Sequence, residues 1–438
     1  RGVELHVATQ WLHEDRGQIA ACLGLPEDAV RLVLGGVGGA FGAREDISLQ
    51  VHTCLLALRL GRPVRIAYSR GESFLGHVHR HPATIWMRHH ATAAGEIVKI
   101  ESRMVFDGGA YASTSSAVLI NAVTHAQGPY RCPNAVVDGY AVRTNHLPCG
   151  AMRGFGVVQA CFAHESQMDK LALACDLDQA EIRQRNAMRT GDRLITGQPV
   201  LNVAPVERCI SDTAALPLPD EPVGGRPLPD GSLDVMKLPG AAGRTTSPGD
   251  VVRGIGWGVA MKNLMYSEGF DDYSTARCRL ADGVVTLKFA TAEVGQGFVT
   301  IAGQIARTIL GVDEVVLDRI DTGVGSAGST SASRQTWMSG GAVDAACRAV
   351  RDRLFEHVAG EHDVDPSTLS IEGTDVVDES GTIRVAVPAA SSGNVFDETV
   401  EYHHRPTEEL DELGQGNCHT AFAFVAHRAV VDVDPDLG

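Results

Sequence analysis

A chain of 438 residues with 44% hydrophobic content can bury large cores, and at about 150 residues per domain it has room for two or three. Its net charge of −16 excludes a nucleic-acid surface, because phosphate binding needs clustered Lys and Arg that the sequence lacks. The longest apolar stretches, such as Thr53 to Leu60, are interrupted well short of the ~20 residues of a membrane span, and no secretory signal follows Arg1.

Residues 1–210 alternate helix-like and strand-like stretches. Periodicity predicts helices over Gly17–Leu25, Leu49–Leu60, Val157–Cys175 and Gln179–Met188, and strands over Pro63–Tyr68 and Ile97–Phe106. Residues 211–250 carry a run of Pro and Gly without periodicity and read as a linker or excursion. A second unit spans 251–438, with strand-like Val284–Phe289, helix-like Phe298–Leu310 and Val343–His357, and strand-like Ala421–Val433. The pattern predicts a large α+β architecture. The ten cysteines are scattered singly, with no C-x-x-C pair and no iron–sulfur spacing, as free thiols of a reducing cytoplasm would be. An electron relay would therefore need another chain or segment.

Three glycine-rich turns each lead toward an apolar helix-like run: GGVGGAFGARED at 35–46, AMRGFGVVQ at 151–159 and AEVGQGF at 292–298. Such turns let backbone N–H groups approach a ligand, and a helix behind them adds the positive end of its dipole. The Ser/Thr-rich GSAGSTSASRQT at 325–336 adds further donors. Together they predict several loops converging on one large anionic cofactor.

Other motifs have weaker claims. Gly323, Gly325 and Gly328 fit G-x-G-x-x-G after a strand-like EVVLDRID, but a dinucleotide fingerprint opens directly into a helix, whereas Ser329–Gln335 reads as a polar loop with the helix starting near Val343. GGAFGARE lacks the Lys-Ser/Thr of a P-loop. His77, His79 and His81 would share one face of a strand at a metal-ligating spacing, yet no carboxylate or cysteine stands nearby, so they stay outside the candidate site. Within the turns, the Phe41 N–H can donate to an oxo group, and Glu45 is either a reactive carboxylate at the rim or a helix cap. Arg153 suits an anion or a carbonyl, and Phe155 offers a stacking face; a surface Arg and a core Phe are the alternatives.

In order and spacing these segments closely resemble the molybdenum-binding large subunit of the xanthine dehydrogenase and aldehyde oxidase family, from TQ at 9–10 to VDVDP at 431–435. The resemblance implies a molybdopterin cofactor held between two α/β sub-domains, and oxidation of a carbon centre with oxygen taken from water. It places Gln10, Phe41, Arg153 and Ala332 around molybdenum. With them, Gly39, Gly42, Gly295, Gln296, Gly297 and Ser333 would hold the cofactor. Glu45, Asn121, Phe155 and Met261 would shape the substrate site, with Glu45 and Arg153 acting in catalysis.

Two departures bear on substrate. Asn121 stands nine residues before the Tyr of YRCPN, where xanthine-oxidising members carry Arg, and Met261 stands where the family has a second aromatic wall. Glu45 favours a nitrogen heterocycle or purine-like substrate over a simple aldehyde. The family's general-base Glu is expected beyond residue 438, and the chain, opening on Arg1 and stopping at Gly438, reads as a fragment. The resemblance further implies [2Fe-2S] and FAD on partner subunits, a cytoplasmic dimer of heterotrimers and a small-molecule substrate, and leaves open whether the pterin carries a cytosine nucleotide. An aldehyde or carbon-monoxide-type enzyme and an inactive cofactor-binding remnant are the alternatives.

Overall fold

Residues 2–219 and 252–433 are described by a computed structural model. The chain begins as a β-α-β unit: β1 (Val3–Val7) and β2 (Val30–Leu34) pair in parallel, with α1 (Leu12–Leu23) crossing between them. The helix starts at Leu12 rather than Gly17, because Glu14 and Asp15 suit the positive end of its first turn and Gly17 is absorbed inside it. Beyond α2 (Gln50–Leu60), the predicted strand Pro63–Tyr68 does not form. Pro63 has no N–H for a ladder, and a cavity of about 880 Å³ is lined by both this segment and β1. A capping box between Ser69 and Glu72 then opens α3 (Arg70–Gly76).

A three-stranded sheet follows, in which β4 (Ile97–Gly109) pairs antiparallel with β3 (Ala83–Ala91) and parallel with β5 (Ala135–Arg143). Helix α4 (Ser115–Thr124) links β4 to β5, and α5 (Val157–Ala174) packs against β3 and α4. Two shorter helices, α6 (Gln179–Asn186) and α7 (Val206–Ala215), close this part. Residues 211–215 of the segment read as a linker are thus the end of α7, and its stretch 220–250 lies outside the described residues.

The second part holds a sheet of order β13-β7-β8-β9, built from β7 (Tyr273–Ala281), β8 (Val284–Phe289), β9 (Val315–Leu317) and β13 (Val395–His403). Alternate residues of β8 are buried, as its β-branched sequence VVTLKF favours. Helix α8 (Phe298–Leu310) buries Phe298, Ala302, Ala306, Ile309 and Leu310 and ends at Gly311 in the left-handed region. Helix α9 (Gln335–His362) lies between α8 and the sheet and begins eight residues before the expected Val343. Gly340 and Gly341 lie inside the helix, and Gly341 lets it pack closely: a Cβ there would come within 2.7 Å of the Tyr402 ring. A meander of β10 (Leu369–Glu372), β11 (Asp375–Asp378) and β12 (Arg384–Ala386), followed by α10 (Val387–Ala390), completes the α+β architecture.

The halves interleave. An antiparallel ribbon of β6 (Val252–Leu264) and β14 (Ala421–Val433) buries Val259, Met261 and Phe422 against Ile97, Met168, Ile182 and Met188 of the first half. Conversely Leu5, Ile19 and Leu32 share a core with Ala290 and Ala327 of the second.

Candidate functional site

Gln10 is the joint of the site. It is buried, and its Oε1 accepts from the backbone N–H groups of Gly42 at 3.0 Å and Arg44 at 3.2 Å. Its Nε2 donates to the Thr330 carbonyl at 2.7 Å and to Glu45 Oε1 at 3.2 Å. One side chain thereby fastens the first glycine turn to the 325–336 loop, 320 residues away.

The other turns join the same assembly. Phe41 accepts at its carbonyl from the Arg153 N–H at 2.8 Å, and the Arg153 guanidinium lies 5.4 Å from the Phe41 ring. Gly39 donates to the Val294 carbonyl at 3.0 Å, and the Thr330 hydroxyl to that of Ala292 at 2.7 Å. Gly42 sits at φ +96°, where a Cβ would come within 3.0 Å of the Met152 backbone, so the first two turns touch only because that residue is glycine. All four predicted loops therefore meet.

Arg334 braces the last of them. Fully buried, it donates through Nε to Asp272 Oδ2 at 2.8 Å and through Nη2 to Asp272 Oδ1 and the Tyr273 carbonyl. Its Nη1 donates to the carbonyls of Ala327 at 2.7 Å and Ser329 at 3.0 Å, so all five guanidinium N–H bonds find acceptors. The braced loop holds Ala332 and Ser333 at φ +47° and +50°, while Phe41 and Phe155 take +56° and +48°. This conformation is strained for non-glycine residues, and such strain gathers at ligand-holding loops.

Glu45 stands half-buried in the joint, with Oε1 accepting from the Ser329 hydroxyl at 2.9 Å as well as from Gln10. Burial pushes its carboxyl above the ordinary range, and the hydroxyls of Ser329 and Ser331 only partly offset this. In the third turn, the Gln296 side chain folds back onto its own loop, bonding the Ala292 carbonyl and the Val294 N–H. Glu293 Oε1 accepts from the N–H groups of Gly295 and Gly297 at 2.9 and 3.0 Å, and Oε2 from Val299 at 3.2 Å. Despite burial, these N–H groups hold Glu293 below the ordinary carboxylate range. The start of α8 thus carries an internal carboxylate that residue order alone did not single out.

The expected substrate residues divide. Phe155 is half-buried against the cluster of Met104, Phe106 and Val118. Asn121 is buried on α4, and its Oδ1 accepts from Lys262 Nζ at 3.2 Å. Met261 instead lies in the β6 core cluster with Val259 and Phe422, and strand alternation turns it away from the face of Lys262, which reaches Asn121. Lys262, Asp272 and Tyr266, whose ring lies 5.1 Å from the Arg334 guanidinium, were absent from the sequence-based site. Their partners are too distant in sequence to leave a local signal. The histidines part ways: His79 bonds the Phe74 carbonyl and His81 the Ser115 hydroxyl, and no group of three metal-ligating side chains occurs among the described residues. The loop after β9 runs to Gln335 before a helix begins, so the Gly323–Gly328 motif lacks a dinucleotide fingerprint's helix.

The family description "molybdopterin cofactor-binding domain" matches residues 1–187 and a second such domain matches residues 233–438. The chain is 32% identical over 345 residues to a probable xanthine dehydrogenase component of Bacillus subtilis (strain 168), covering 77% of this chain and 43% of that protein. The chain belongs to the molybdenum hydroxylase large-subunit family. It is also 43% identical over 196 residues to the nicotinate dehydrogenase large molybdopterin subunit of Eubacterium barkeri, covering 45% of this chain and 46% of that one. The fold is shared with quinoline 2-oxidoreductase from Pseudomonas putida 86, with a TM-score of 0.80 at 22% identity, over 99% of this chain and 55% of that one. The matched stretches cover less than half of each of these two relatives' own length.

The loops suit the family's cofactor. Gly295 and Gly297 have positive φ, and a Cβ on either would meet nothing within 4 Å, so their open backbone faces free space. Phe41, Arg153, Gln296 and Ser333, one on each of the four loops, are exposed. Among the described residues no helix is long and apolar enough to cross a membrane.

Proposed function

We propose that this chain forms the cofactor-holding core of an oxidoreductase that hydroxylates a carbon of an N-heteroaromatic or purine-like substrate. The bound molybdopterin supplies the two-electron oxidising capacity and the means of delivering oxygen derived from water. Phe41, Ala332 and Ser333 offer backbone N–H groups to it and Arg153 its exposed guanidinium, Gly295 and Gly297 let it approach the third turn closely, Gly39, Gly42 and Gln10 hold these loops in register, and Gln296 braces the third turn.

The observation that carries the heterocycle assignment is Glu45. Its half-buried carboxyl has a raised proton affinity, so it can accept from a ring N–H when ionised and donate to a ring nitrogen when protonated. An aldehyde offers a carbonyl acceptor to the protonated form but no N–H to the ionised one. None of the ten free cysteines belongs to a metal-ligating group among the described residues, so we place the electron relay on partner subunits carrying [2Fe-2S] and FAD. A dimer of such heterotrimers in the cytoplasm is the assembly this reading favours, and the cytosine dinucleotide form of the pterin is one outcome of cofactor analysis.

The test uses the full reading frame expressed with its neighbouring subunits. Near-stoichiometric molybdenum, turnover of heterocycles, and loss of that turnover in Glu45→Ala with molybdenum retained are expected. Retention of aldehyde or carbon monoxide oxidation alone would replace the heterocycle reading with the alternative enzyme. Absence of molybdenum under full cofactor supply would leave a remnant without the chemistry.

A further inference from the structure

The second glycine turn contains one peptide that its own residues leave unfixed. Met152–Phe155 close a turn in which the Phe155 N–H donates to the Met152 carbonyl at 2.8 Å and Gly154 takes φ +91°, the geometry of type II. The Arg153 N–H is fixed as well, on the Phe41 carbonyl at 2.8 Å. Between these two anchors lies the peptide joining Arg153 to Gly154. Turns of types I and II differ by a half-rotation of this central peptide, and glycine takes either sign of φ readily, so Gly154 does not itself choose between them.

Arg80 makes the choice. Its Nη2 donates to the Arg153 carbonyl at 2.6 Å, the one hydrogen bond that the central peptide makes among the described residues. A trans peptide is flat, with its N–H and C=O on opposite sides. The Gly154 N–H therefore points away from Arg80, and it has no partner among the described residues. Rotating the peptide would put a carbonyl oxygen in its place.

The residues around Arg80 make it a firm support. It belongs to HVHRH at 77–81, whose histidine spacing suggested a metal and whose backbone instead braces the turn. His79 bridges to Cys149, donating its N–H to the Pro148 carbonyl and accepting from the Gly150 N–H, each at 3.0 Å. On the far side of the turn, Gln159 Nε2 donates to the His81 carbonyl at 3.2 Å, and the His81 ring bonds the Ser115 hydroxyl at 2.8 Å. The stretch is thus tied to the chain just before the turn and just after it. No carboxylate among the described residues pairs with the Arg80 guanidinium, so the Arg153 carbonyl is its anchor.

We propose that Arg80 is a positioning residue: it locks the 153–154 peptide so that the Gly154 N–H, and not the Arg153 carbonyl, is presented to the bound cofactor. The inference rests on the cofactor-holding part of the reading above and is independent of the substrate. An anionic ligand rich in oxygen acceptors gains a hydrogen bond from the N–H in this orientation and meets a repelling carbonyl oxygen in the other.

Amide hydrogen exchange of the holoenzyme with its partner subunits is compared with that of the same complex made without molybdopterin supply. The Gly154 amide should exchange at least about tenfold more slowly in the holoenzyme, whereas the Arg153 and Phe155 amides, bonded within the chain, should be protected alike in both forms. Arg80→Met should abolish the Gly154 difference and speed the loss of molybdenum on dilution by roughly ten- to a hundredfold, the worth of one hydrogen bond to a charged group. Arg80→Lys keeps a donor and should preserve both the protection and the metal. Equal Gly154 rates in the two wild-type forms overturn the proposal without any variant. A Met variant that keeps the Gly154 protection does so too, as does protection that changes equally across residues 153–155, which would mark a general ordering of the turn. Absence of molybdenum from the wild type under full cofactor supply would sink the cofactor-holding reading itself, and the inference with it.

Discussion

Arg334 donates to both carboxylate oxygens of Asp272, and neither side chain reaches solvent. Removing one member of such a pair strands the other charge in the interior, at a cost of about 3–5 kcal/mol. Asp272→Ala is therefore expected to lower the unfolding free energy by that amount and to release the 325–336 loop, so that molybdenum content falls with it. Denaturant titration and metal analysis of the purified complex read both effects; an unchanged midpoint would mean that the carbonyls of Ala327, Ser329 and Tyr273 satisfy Arg334 unaided.

The two glutamines of the site should behave differently. Gln10→Ala leaves the N–H groups of Gly42 and Arg44 without an acceptor, costing about 1–3 kcal/mol for each buried orphan, and severs the first turn from Thr330. Gln296→Ala removes only contacts within its own loop. Cofactor retention should drop severalfold in the first variant and stay within twofold of wild type in the second. Equal losses would show that Gln296 makes a contact with the bound cofactor that its own loop does not reveal.

Asp15 lies buried in α1 with Oδ1 unpartnered, and burial raises its carboxyl from 3.8 to about 7. A raised folded-state value stabilises the fold at low pH, and this contribution is lost as pH climbs from about 4 through about 7. Asp15→Asn has no such proton to lose. Relative to wild type, the variant should gain roughly 2–4 kcal/mol between pH 4 and pH 8, measured as the difference in urea unfolding free energies. A pH-independent difference would mean that Asp15 ionises without penalty.

Glycine identity should matter where backbones touch. Gly42→Ala forces a positive φ on alanine and drives a Cβ to 3.0 Å from Met152, so a loss of about 1–3 kcal/mol and weaker cofactor retention are expected. Gly36→Ala adds a methyl with nothing within 4 Å and is the control. Thermal melts of the two variants decide this; similar melting temperatures would show that the first turn can shift away from the second.

Much of this was readable from residue order, for physical reasons that differ by element. Strands such as β8 and helices such as α8 carry one period through their length, because one face is buried and the other wet, and their bounds were legible to the residue. Pro63–Tyr68 has strand composition but no partner, which local pattern cannot foresee. The glycine turns were legible because positive φ and close approach select for glycine. Arg334 with Asp272, Lys262 with Asn121 and Ser329 with Glu45 were not, being brought together across 62, 141 and 284 residues by the sheets between them.

The interleaved cores also set an order of events during synthesis. The first half cannot seal its largest hydrophobic face until β14 has left the ribosome, because Phe422 and the ribbon it belongs to form one wall of that face. The first glycine turn waits in the same way for Val294, and Gln10 behind it for Thr330, both supplied by the second half. A gene cut between the halves would yield two pieces that each lack a wall, and only their joint expression could rebuild a pocket able to trap so large a cofactor.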